Sequence, residues 1–151
     1  MASNIIESAI IIEAPIEKVW QVLSNFEQYQ QWNPFTPKVE LSKVIGAPVY
    51  LHVKMRPTSS KILVQKETLQ YWKEGEQINW GIEDSWYIQT VRVQKLKKLE
   101  DNRTEYFTSD TFYGPLKSLV LLLFRSKIQR GFDAVAKALK MEVEGNKTKA
   151  V

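Results

Sequence analysis

The chain has 151 residues, 44% apolar and 25% charged, with a net charge of +4 and no cysteine. That length suits one domain with an ordinary hydrophobic core, and the absence of cysteine excludes a disulfide framework, a thiol nucleophile and a thiolate metal site. The longest apolar run, Leu119–Phe124, is far short of the ~20 residues of a membrane helix, and Met1–Glu13 lacks the features of a secretory signal, so the expected location is cytoplasmic.

Ile6, Ser8, Ile10 and Ile12 alternate with Glu7, Ala9, Ile11 and Glu13, the period-two pattern of a strand with one buried face. Pro15 then opens a helix whose Ile16, Val19, Trp20 and Leu23 form an apolar stripe. A second short helix is predicted over about 26–31, capped by Asn25 and ended by Pro34, which forces Asn33 out of helical geometry. Val39 and Leu41 begin a strand, Gly46-Ala47-Pro48 turns the chain, and Val49, Leu51, Val53 and Met55 share the face of the next strand. Lys61–Trp72 and Gln77–Glu83 flank Glu74-Gly75 as one hairpin, and Tyr87–Leu99 and Arg103–Tyr113 flank Asp101-Asn102 as another. After Gly114-Pro115 a helix is predicted to about residue 142, with Leu116, Val120, Leu123, Ile128, Phe132, Val135 and Leu139 as its buried stripe. A flexible tail over 144–151 is expected to follow. The order of elements gives a single α+β domain over 1–151, an antiparallel sheet covered by helices on one face.

Histidine occurs once. His52 is in phase with Tyr50, Lys54 and Arg56, opposite the apolar face, so it should point to solvent. Ser-His and Cys-His nucleophilic catalysis and a histidine-rich metal site are thereby excluded, and no acidic cluster has calcium-loop spacing. The lysines at 95, 97 and 98 form the only basic cluster, on one strand, which reads as a solvated face rather than a nucleic-acid surface.

The segments Ala14-Pro15-Ile16-Glu17-Lys18-Val19-Trp20, Trp32-Asn33-Pro34-Phe35, Gly75–Trp80, Asn102–Thr104 and Asp110–Leu116, in this order of elements, resemble the START-like (SRPBCC) superfamily. The closest likeness is to its polyketide cyclase/dehydrase-like branch. The resemblance implies a helix-grip fold, a curved sheet of about seven strands around the long C-terminal helix, with an apolar cavity between them. It implies carriage of a small hydrophobic molecule such as a lipid, polyketide, isoprenoid or quinone; no cofactor and no metal are expected. The alternative is a cyclase or dehydratase, and the second alternative an interaction domain whose core is filled.

Asp110 is the candidate polar group, in phase with Tyr106, Thr108 and Phe112; the superfamily usually has Glu there, one methylene longer. A carboxyl facing an apolar cavity is desolvated and shifts toward proton-transfer duty, with Tyr106 or Tyr113 as its companion in an enzyme. The expected cavity wall draws on Val53, Met55, Trp80, Val91, Tyr106, Phe112, Leu116, Val120 and Leu123. Trp32 and Phe35 are expected at one cavity end and Trp86 at its rim. A lone carboxyl suits anchoring a ligand better than turning it over, which favours binding over catalysis. The apolar stretch Leu119–Phe124 reads as a transient membrane contact, a homodimer contact or a lid, against simple burial beneath loops.

Overall fold

The computed structural model describes residues 3–56 and 58–149, with side chains through Gly145. Its strands are β1 (Ile5–Ile12), β2 (Lys38–Leu41), β3 (Pro48–Val53), β4 (Leu63–Lys73), β5 (Gln77–Gly81), β6 (Gln89–Glu100) and β7 (Arg103–Tyr113). Its helices are α1 (Ile16–Ser24), α2 (Tyr29–Trp32) and α3 (Lys117–Lys149), with one 3-10 turn at Phe26–Gln28. All seven strands form one antiparallel sheet in the order β1-β7-β6-β5-β4-β3-β2. This is the expected α+β helix-grip architecture.

The alternating isoleucines of β1 bury Ile6 and Ile12 on the concave side. In β3 Val49, Leu51 and Val53 do the same, while His52 sits on the opposite face beside Lys38 and Val64, its Nε2 3.9 Å from Glu40. The second helical segment differs from the expected single helix. It is a 3-10 turn followed by the short α2, and the Asn25 side chain makes no capping hydrogen bond. Asn33 is the residue that shapes this region. Its Oδ1 accepts hydrogen bonds from the backbone N–H groups of Phe35 (3.1 Å) and Thr36 (2.8 Å), a local Asx turn that aims Phe35 inward.

The α3 helix starts two residues after Pro115 and runs to Lys149, seven residues beyond the predicted end, so part of the expected tail is helical; 150–151 lie outside the described residues. Its position is set by β1, an edge strand of the sheet. Arg125 donates to the carbonyls of Ser3 and Ile5, Gln129 to that of Glu7 and Lys140 to that of Ile11, and Glu144 accepts from the N–H of Glu13. These side chains occupy backbone groups that an open edge would otherwise expose. Phe132, Val135, Ala136, Leu139 and Val143 fill the core with the isoleucines of β1 and the stripe of α1. The other end of the grip is pinned by Glu74, whose carboxylate accepts from the indole N–H groups of both Trp20 (2.9 Å) and Trp72 (2.8 Å).

Gly131 marks the closest approach of α3 to the Asn33–Phe35 loop, for a Cβ built there would stand 2.4 Å from the Phe35 ring. Gly131→Ala should therefore destabilise the protein by about 1–2 kcal/mol through overpacking, although alanine is the better helix former by up to ~1 kcal/mol. Urea unfolding decides the sign, and a stabilised Gly131→Ala would mean that Phe35 does not seat against the helix.

Candidate ligand cavity

A cavity of about 310 Å³ lies between the concave face of the sheet and the first half of α3. Phe35, Leu51, Val53, Met55, Trp80, Ile88 and Phe112 give it apolar walls, and Val120, Phe124, Ile128 and Phe132 of α3 close it from above. The volume falls within the ~300–1,000 Å³ of small-molecule sites. A second depression of about 900 Å³ lies on the other side of α3, against Ser3 and Asn4; it is lined by Lys117, Arg125 and three serines and is not part of this interior.

One side of the cavity is polar. On β6 the inward residues are Thr90, Arg92 and Gln94, whereas Val91 and Val93 occupy the opposite face. Arg92 is buried, its guanidinium carbon 4.2 Å from the centre of the Phe132 ring and its Nε donating to Thr108 Oγ1 at 3.3 Å. Arg92 and Asp110 are direct partners in the β6–β7 ladder, and Glu67 of β4 completes the group. Asp110 Oδ1 is buried without a hydrogen-bond partner. Burial pushes the Asp110 carboxyl up to about 7, against the pull of Arg92. Burial also pushes Glu67 up to about 8, reinforced by Asp110 and opposed by Arg92.

Of the residues expected at the site, Phe35, Val53, Met55, Trp80, Asp110, Phe112 and Val120 stand in the wall. The others lie elsewhere. Trp32 is buried against Tyr29, their ring centres 4.9 Å apart, and Trp86 is 79% exposed beside Tyr87. Val91 takes the opposite face of β6. Tyr106 is fully buried in the core, its hydroxyl donating to Gln94 at 2.8 Å. Leu123 is exposed because Val120, Phe124, Ile128 and Phe132, each four residues apart, form the inner line of α3, and Leu116, which precedes the helix, is exposed as well. Within Leu119–Phe124 only Leu121 is buried, so loops do not cover this stretch. Arg92 and Glu67 are the charged wall residues that sequence reasoning missed. Among the described residues no cluster of histidine, aspartate and glutamate could hold a metal, and no helix is long and apolar enough to cross a membrane.

The raised carboxyl pKa values couple folding to protonation. Both acids hold a proton more tightly in the fold than in the unfolded chain. Their favourable contribution is complete below the unfolded value near pH 4 and is lost as pH rises through about 7 and 8. Asp110→Asn should therefore gain stability relative to the native chain as pH rises from 5 to 8, by on the order of 1–3 kcal/mol at the upper end. Urea melts of both proteins across that range measure the difference, and a gap that shrinks with pH contradicts the assignment.

Residues 4–144 match the family model described as polyketide cyclase / dehydrase and lipid transport. No curated protein sequence matches the chain. Among solved structures, the Zhui aromatase/cyclase from a Streptomyces species is similar at 20% identity over 93% of both chains, with a TM-score of 0.73. A START superfamily protein from Mycobacterium smegmatis is 18% identical over 93% of this chain and 97% of its own, with a TM-score of 0.70. Protein NE0264 from Nitrosomonas europaea is 13% identical over 98% and 99%, with a TM-score of 0.74. Identities this low speak for the fold alone, whereas the family model spans nearly the whole sequence: the chain belongs to the polyketide cyclase / dehydrase and lipid transport family.

Proposed function

We propose that this protein binds and carries a small, mainly apolar molecule in the cavity beneath α3. The observation that supports this reading is the unfilled interior itself. About 310 Å³ stays open between Trp80, Phe112 and Phe132, although the chain is rich in side chains large enough to fill it. Close-packed interiors leave few voids larger than a water molecule, so a space of this size argues for an occupant and against an interaction domain with a filled core. The description of the family includes lipid transport, in keeping with carriage.

Catalysis is the second reading, favoured by one observation. Asp110, with a pKa of about 7, and Glu67, with one of about 8, are poised near neutrality on the same cavity, the condition for proton exchange with a bound substrate. A cyclase or dehydratase built here would use Asp110 with Arg92 or Glu67. Tyr106 is committed to Gln94, and Tyr113 is exposed outside the wall.

An apolar fluorescent probe should bind and quench tryptophan emission. Val120→Trp, which fills the cavity, should weaken that binding at least ~10-fold. Leu123→Trp, on the outer side of α3, should leave it unchanged. Equal binding by the native chain and Val120→Trp would place the ligand elsewhere. Native mass spectrometry of protein from its own host should show a copurified apolar molecule. Multiple turnover of a polyketide-like substrate, lost in Asp110→Asn while probe binding survives, would instead establish the enzyme.

A further inference from the structure

The charges around the cavity constrain the ligand more narrowly than its apolar walls do. Among the described residues of the wall, Arg92 is the only cation, and it faces two carboxyl groups, Asp110 and Glu67. Its guanidinium is already engaged by the face of Phe132 and by Thr108 Oγ1. A ligand carboxylate entering here would be the third acid around one occupied cation, and like charges at one buried site exclude one another. Two of the described wall residues carry a buried polar atom with no partner. Asp110 Oδ1 is an acceptor without a donor and Trp80 Nε1 a donor without an acceptor, the two demands that a hydroxyl, both donor and acceptor, matches in kind. A buried polar atom without a partner costs stability until something supplies one.

We propose, building on the cavity-binding reading above, that the ligand is an apolar molecule carrying a hydroxyl group, an alcohol or a phenol, whose O–H donates to Asp110, and that the Asp110–Glu67 pair excludes free carboxylates such as fatty acids. Discrimination of this kind uses a repulsive element as well as an attractive one. The groups facing Asp110 are Arg92 from β6 and Glu67 from β4. Trp80 of β5 is neutral, and α3 contributes only Val120, Phe124, Ile128 and Phe132 to the wall. Because Asp110 and Glu67 ionise near pH 7 and 8, exclusion of carboxylates should sharpen between pH 6 and 8.5.

Calorimetry with three probes of one skeleton, 2-naphthol, 2-naphthoate and 2-methylnaphthalene, tests this on the full chain. At pH 7.5 naphthol should bind at least about tenfold more tightly than either of the others, a factor within reach of one hydrogen bond to a charged group. Asp110→Leu should bring naphthol down to the level of methylnaphthalene. The double variant Glu67→Gln with Asp110→Asn leaves Arg92 as the sole charge, so naphthoate should then overtake naphthol. That gain of binding cannot come from misfolding. Native protein that binds naphthoate as well as naphthol overturns the proposal, and so does methylnaphthalene equalling naphthol; in both cases the cavity-binding reading survives. Failure of all three probes would sink that reading and this one with it.

Discussion

Arg92 carries a full positive charge into the concave side of the sheet, where its guanidinium lies over the Phe132 ring and donates to Thr108. Taking such a charge out of water costs several kcal/mol unless partners replace the solvent. The surrounding residues meet that demand from three directions. The electron-rich face of Phe132 comes from the helix, a hydroxyl from the neighbouring strand, and the fields of Asp110 and Glu67 from β7 and β4. The two acids around this one base are themselves taken out of water, and that desolvation, which Arg92 opposes without overcoming, leaves them as carboxyl groups that hold protons near neutral pH. The acid-base character of the cavity therefore follows from burying its carboxyls, with Arg92 limiting the shift.

The cavity exists because α3 is fixed by one side of the sheet. The contacts from Arg125, Gln129, Lys140 and Glu144 all reach the backbone of β1 or of the residues flanking it, and the second half of the helix packs into the core beside them. From Val120 to Ile128 the helix faces the sheet's interior across the cavity, and Leu119, Leu122 and Leu123 stay uncovered. The Asn33 turn adds Phe35 at the boundary, seated against Gly131, where the packed core gives way to the cavity. Anchoring and cavity are two results of the same geometry: a helix held at one edge of a curved sheet does not touch the whole of it.

Most of the fold was legible because period-two and helical patterns report burial directly, as in β1, β3 and α1. The site was half legible. The β6–β7 hairpin shows why. Its turn pairs Glu100 with Arg103, and carrying that register along the strands would set Val91 opposite Phe112 and Val93 opposite Asp110, in accord with valines facing inward. The register shifts between Lys98 and Glu100, so Thr90 meets Phe112 and Arg92 meets Asp110. A slip of one residue turns every side chain to the other face. That bulge brings Arg92 in and sends Val91 out, and no propensity in Lys98-Leu99-Glu100 announces it. On α3 the ambiguity was of another kind. Leu119–Phe124 is apolar on all sides, so spacing alone could not choose between Leu123 and Phe124 as the inward residue.

The cavity is also a local instability. Asp110 Oδ1 has no donor, Glu67 and Asp110 repel each other once ionised, and an unfilled volume forfeits the contacts that its lining would otherwise make. Filling the space with larger side chains would raise stability and abolish the cavity, the trade that binding sites commonly show. A ligand that supplies one hydrogen-bond donor and apolar bulk relieves the first and the last of these defects in the folded state and neither in the unfolded chain. Its binding energy is then folding energy. The groups that weaken the empty protein are thus the ones that give it selectivity, and occupancy should be read as readily from stability as from affinity.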